Sequence, residues 1–162
     1  MAESIFIDEH VTKAEKYEQL IPQIKSLVGT DVDDVAVLAN VAAALHISFA
    51  FFWTGFYIVR QNQLILGPFQ GPVACMSIAS GNGVCGTAWK KNETQLVDNV
   101  EEFPGHIACS SESKSEIVVP LRSTNGEVRA VLDLDSEHLS NFDQIDKRYL
   151  EELCDWIGQH IY

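Results

Sequence analysis

The spacing of apolar residues changes character twice along the chain. Residues 11–27 carry a modest helical pattern. Over 32–46, Val32, Val35, Leu38, Ala42 and Leu45 fall on one helical face, with Asp31 as the expected N-cap. Residues 51–59 are aromatic and β-branched, which predicts a strand. Residues 64–69 are its expected partner, across a Gln61-Asn62-Gln63 turn. A third strand is expected over 73–78, ended by Gly81-Asn82-Gly83, then a short helix over 84–91 and a short strand over 95–97. The stretch 98–115 is long and polar, and a connection of that length in a compact domain usually serves function. Residues 116–122 and 128–135 alternate around Thr124-Asn125-Gly126, the strongest hairpin signal in the chain. Ser140 is expected to open a last helix, with Asp143 completing a capping box and Phe142, Ile145, Tyr149, Leu153, Trp156 and Ile157 as its stripe. Helices, then strands, then a helix predict an α+β domain whose mostly antiparallel sheet is covered by helices.

Composition narrows the function. The 162 residues suit one domain spanning 1–162, with no repeat or linker. A net charge of −12 argues against nucleic acid and against an anionic membrane surface. No apolar run is long enough to span a bilayer. The first ten residues carry acids and no basic cluster, so no secretory signal is expected and the expected compartment is the cytoplasm. The four cysteines, Cys75, Cys85, Cys109 and Cys154, lack metal-ribbon spacing, and in a reducing cytosol they are not a structural disulfide framework. Cys154 sits in a helical pattern and reads as a buried small hydrophobe.

Cys109 differs, because it lies in the polar stretch, where an exposed thiol is a liability unless it is used. His106 and Lys114 are close enough in sequence to supply a cationic neighbour that favours a thiolate, although His106 alone is more often a loop hydrogen-bonder than a catalytic base. Asp133 and Asp135 share strand parity and project from one face, opposite Leu132 and Leu134; Glu116 comes from the partner strand. Such carboxylates either bind an ammonium group and hold a proton, or form a solvated outer face. Trp53 and Tyr57 also share parity, and read either as core or as a wall for a sulfur-bearing side chain. Cys75 and Cys85 bracket the Gly81-Asn82-Gly83 turn, and spacing alone does not say whether either reaches Cys109.

The segments Trp53-Thr54-Gly55-Phe56-Tyr57, Gly83-Val84-Cys85-Gly86-Thr87-Ala88, Phe103-Pro104-Gly105-His106-Ile107-Ala108-Cys109, Ser115-Glu116-Ile117-Val118-Val119-Pro120 and Leu132-Asp133-Leu134-Asp135-Ser136 resemble the free methionine-(R)-sulfoxide reductases, stand-alone enzymes of the GAF fold. The resemblance covers nearly the whole chain and is weakest over the first thirty or so residues. It implies that Cys109 is the catalytic cysteine, Cys75 the principal resolving cysteine and Cys85 the third cysteine of the site. It implies that Glu116, Asp133 and Asp135 bind the substrate amine and assist protonation, and that Trp53 and Tyr57 flank the substrate side chain. It further implies no bound cofactor and no metal, free methionine sulfoxide as substrate, thioredoxin or another dithiol as reductant, and a homodimer. Two rivals are a GAF sensor for a small ligand and a cysteine redox switch without turnover.

Overall fold

The computed structural model describes residues 4–30 and 33–162. Helix α1 spans Lys13–Val28 and starts at a capping box in which Thr12 and Glu15 satisfy each other's backbone N–H groups. Helix α2 spans Asp34–Phe49 and is capped by Asp33, whose carboxylate accepts from Val35 N at 2.9 Å. The N-cap expected at Asp31 lies outside the described residues, as does Val32. The buried stripe of α2 is Val37, Leu38, Val41, Ala42, Ala44 and Leu45; Val35, expected on it, is exposed.

Strands β1 (Trp53–Arg60) and β2 (Gln63–Gln70) form the first hairpin. Its turn is the residue pair Gln61-Asn62, both at positive φ, so Gln63 already belongs to the strand. The strand expected over 73–78 shrinks to β3 (Ser77–Ile78), because Val73 and Met76 face solvent. Then come helix α3 (Gly83–Lys91), strand β4 (Gln95–Val97) and a 3-10 turn at Val100–Glu102 that buries Val100. The second hairpin pairs β5 (Ser115–Arg122) with β6 (Val128–Ser136) across the Asn-Gly turn. Helix α4 spans Gln144–Ile161. Its N-cap is Asp143 rather than Ser140: the Asp143 carboxylate accepts from Ile145 N and Asp146 N, and Asp146 reaches back to Asp143 N at 2.8 Å. Ser140 instead sits at φ 51° in the preceding loop, and Ile145, expected on the apolar stripe, is exposed.

The six strands make one antiparallel sheet in the order β3-β2-β1-β6-β5-β4. Alternation gives it two faces. Phe56, Ile117, Val119, Leu121, Leu132 and Leu134 face the layer of α1, α2 and α4 and are fully enclosed. Trp53, Tyr57, Val118 and Val131 face the other side, where α3 packs. Asp133, Asp135 and Glu116 have this second parity, so the fold carries its acids under α3 and the polar loop rather than to open solvent. Among the described residues no helix is long and apolar enough to cross a membrane.

Candidate active site

A pocket opens on the α3 face, lined by Trp53, Tyr57, Cys85, Cys109, Glu116, Asp133 and Asp135. Strand register sets the acids side by side. Asp135 pairs across the sheet with Trp53 on one side and Glu116 on the other; Asp133 pairs with Gly55 and Val118. Glu116 and Asp133 are buried, and Asp135 is half-buried. Burial pushes the carboxyls of Glu116 and Asp133 well above the usual range, and the neighbouring carboxylates push further in the same direction. Burial lifts Asp135 to about 6, against a hydrogen bond from Ser113 Oγ that favours its charge. Like charges at this spacing share protons, so the trio is both an anionic pocket and a proton store.

The aromatic wall has a local cause. Gly55 leaves room for the Trp53 ring to fold over it: a Cβ there would lie 2.5 Å from the indole. The ring then stacks on Phe69 at 5.3 Å and faces Tyr57 at 6.0 Å. Trp53 Nε1 donates to the Pro72 carbonyl at 3.0 Å, and Tyr57 Oη donates to the Cys75 carbonyl at 2.9 Å. The wall therefore also holds the segment that carries Cys75.

Cys75 and Cys109 are joined by a disulfide, with Cα atoms 5.4 Å apart. Cys109 is exposed and Cys75 half-buried. Cys85 is a free, buried thiol in the first turn of α3, 4.0 Å from Glu116 Oε1. Burial first, and then Asp133 and Glu116, push this thiol well above its ordinary value, so it is protonated. Cys154 is free and buried in α4, away from the pocket. The structure thus brings together all eight residues singled out from the sequence: seven line the pocket and Cys75 is bonded to one of them.

Three features were not anticipated. Ser113 orients Asp135, yet one serine in a polar loop carries no distinguishing signal. Ile107 closes the pocket beside Cys109, where His106, already singled out from the sequence as a neighbour of that cysteine, also lies. The first turn of α3, Gly83 to Cys85, also lines it, and Asn82 makes no side-chain bond to that turn. An N-terminal helical turn presents N–H donors to anions. The Gly-Asn-Gly sequence before it was the available sign.

A curled antiparallel sheet with a pocket beneath one short helix defines the class. The chain matches the GAF domain over residues 30–161, and it belongs to that family. It is 53% identical over 154 residues to GAF domain-containing protein A of Dictyostelium discoideum, covering 94% of this chain and 96% of that one. It is 40% identical to the free methionine-R-sulfoxide reductase of Saccharomyces cerevisiae, covering 98% of this chain and 92% of the relative. The solved free methionine-R-sulfoxide reductase of Neisseria meningitidis, in complex with its substrate, superposes with a TM-score of 0.92 at 49% identity over 98% of this chain and 94% of that one. Within the GAF proteins, this chain belongs to the free methionine-R-sulfoxide reductases, oxidoreductases that act on sulfur groups.

Proposed function

We propose that this chain, as one catalytic domain over 1–162, reduces free L-methionine-(R)-sulfoxide to methionine with Cys109 as nucleophile. The observation that carries the reading is the disulfide between exposed Cys109 and Cys75 at a pocket containing three carboxyls. The Cys109 thiolate attacks the sulfoxide sulfur. As the sulfur–oxygen bond breaks, Glu116 or Asp135 in its neutral form supplies a proton and the oxygen passes to Cys109 as a sulfenic acid, releasing methionine. The Cys75 thiol then displaces that oxygen as water and forms the disulfide. A dithiol, with thioredoxin as the protein that fits this role, reduces the disulfide and becomes a disulfide itself.

The carboxyl trio favours a ligand with an ammonium group, which a peptide-bound methionine lacks. The uncapped first turn of α3 is the place for the substrate carboxylate, rather than the N–H groups of the polar loop. Trp53 and Tyr57 flank the methyl-sulfinyl end. Free Cys85 and Cys154 suit a reducing compartment such as the cytoplasm. Exposed Val35 and Ile47 offer apolar surface on α2 for a second copy in a homodimer.

The test incubates the protein and dithiothreitol with each epimer of free and of peptide-bound methionine sulfoxide. Methionine is expected from the free R epimer only. No turnover of any epimer by folded protein would overturn the reading and leave the sensor or switch alternatives.

A further inference from the structure

The floor of the pocket contains a group that an ammonium ligand does not explain. Cys85 Sγ, a carboxylate oxygen of Glu116 and one of Asp133 all lie within 4.8 Å of one another, and all three residues are buried. Asp133 Oδ1 is buried without any hydrogen-bond partner, so an acceptor is held ready for a ligand. Neither lysine nor arginine lines the pocket among the described residues, and His106, which does, forms no ion pair with Glu116 or Asp133. An ammonium group gains from the carboxylates and nothing from a thiol. A borderline-soft dication gains from both.

We propose that Cys85, Glu116 and Asp133 form a zinc site, and that zinc occupying it excludes the substrate amine. This deepens the reading above, since it assigns a second ligand to the same pocket. The geometry suits the metal. With Zn–S at about 2.3 Å and Zn–O near 2.1 Å, a tetrahedral centre sets sulfur and oxygen about 3.6 Å apart. The Cys85 Sγ to Glu116 Oε1 separation is 4.0 Å, so that pair closes by a few tenths of an ångström, while Asp133, within 4.8 Å of both, draws in by up to about an ångström. Three protein ligands leave a fourth position for water. The thiolate and two carboxylates carry one negative charge more than zinc neutralises, and the thiol proton, with any proton held by Glu116 or Asp133, leaves to solvent when the metal enters. Magnesium and calcium, which take oxygen ligands and many of them, are poorly served by three ligands that include a sulfur.

The test uses the disulfide form without reductant, so that Cys75 and Cys109 contribute no thiolate. Metal-free protein is titrated with zinc against a chromophoric chelator, with and without excess magnesium, and the zinc-loaded protein is examined by X-ray absorption. One zinc per chain is expected, unaffected by magnesium, with a spectrum showing one sulfur ligand and the rest oxygen. Cys85→Ser and Asp133→Asn each weaken binding by at least about tenfold, since even an indirect supporting group is worth about 10–100-fold. Cys154→Ser leaves it unchanged. Absence of a stoichiometric site overturns the proposal, as does a spectrum without sulfur or wild-type affinity in Cys85→Ser. The spectrum of the unsubstituted protein keeps the test valid if a variant misfolds. Zinc bound by a protein with no reductase activity removes the functional reading and leaves the metal site standing. An active protein without a zinc site does the opposite.

Discussion

Replacing Asp135 by asparagine should stabilise the fold while impairing the reaction. Asp135 has a folded value of about 6 against an ordinary 3.8, chiefly because burial disfavours its charge. That difference corresponds to about 3 kcal/mol of destabilisation when the group is ionised. An acid whose value is raised on folding binds its proton more tightly in the folded state. Stability therefore falls as pH rises through the interval from about 3.8 to about 6, and the full cost persists above it. Asparagine removes the cost, relieves repulsion on Glu116 and Asp133, and still accepts from Ser113, although a neutral acceptor is weaker by about 1 kcal/mol. The net gain expected at pH 8 is about 1–3 kcal/mol, or roughly 2–10 °C in Tm for a domain of this size. Below pH 4 the two proteins should converge. Thermal and urea unfolding of both chains in the disulfide form, between pH 4 and 8, measures this directly. An asparagine variant less stable than the parent at pH 8, or a gain that does not change with pH, would refute the account of these acids. Expected loss of methionine sulfoxide reduction in the same variant would show stability given up for chemistry.

Three further outcomes are expected. Cys109→Ser should form no methionine with any reductant, whereas Cys75→Ser should release about one methionine per chain in the absence of reductant and then stop, a contrast that quenched single-turnover assays resolve. Gly55→Ala drives a Cβ to 2.5 Å from the Trp53 ring; it should cost about 1–3 kcal/mol in urea unfolding and alter the near-ultraviolet signal of Trp53. Asp146 is buried where Lys13 Nζ at 2.6 Å and Tyr17 Oη at 2.7 Å meet the capping box of α4, so Asp146→Ala should cost about 3–5 kcal/mol, and a loss below about 1 kcal/mol would contradict that account.

The β5–β6 hairpin was legible almost to the residue, because alternation and an Asn-Gly turn are local signals and nothing elsewhere competes with them. Parity put Asp133 and Asp135 on one face. It did not say whether that face is covered, because the cover comes from α3 and the loop around His106, which are distant in sequence. Ser140 and Asp143 are both good capping residues. Asp143 prevails because its carboxylate accepts from two N–H groups while Asp146 returns the bond and anchors Lys13 and Tyr17. The segment 73–76 resembled a strand by composition, but Val73 and Met76 are exposed, and of this stretch only Met76 O joins a strand, accepting from Leu66 N. The helical face led by Val35 was misjudged by one residue for a related reason: α2 is apolar on nearly every side, so periodicity weakly selects which side is inward. Ser113 left no trace in the sequence, since its role depends on a strand-end acid reached through folding.

The bond between Cys75 and Cys109 ties positions 34 residues apart, closing a ring through β3, α3 and β4. A ring of that length restricts the unfolded chain by about 4 kcal/mol on chain-entropy grounds. In the proposed cycle the ring shuts after each reduction of substrate and the reductant opens it again. At equal conditions the spent molecule should therefore populate its unfolded state about a thousandfold less than the ready one. Proteases that capture transiently opened chains would then remove idle molecules ahead of those that have just worked.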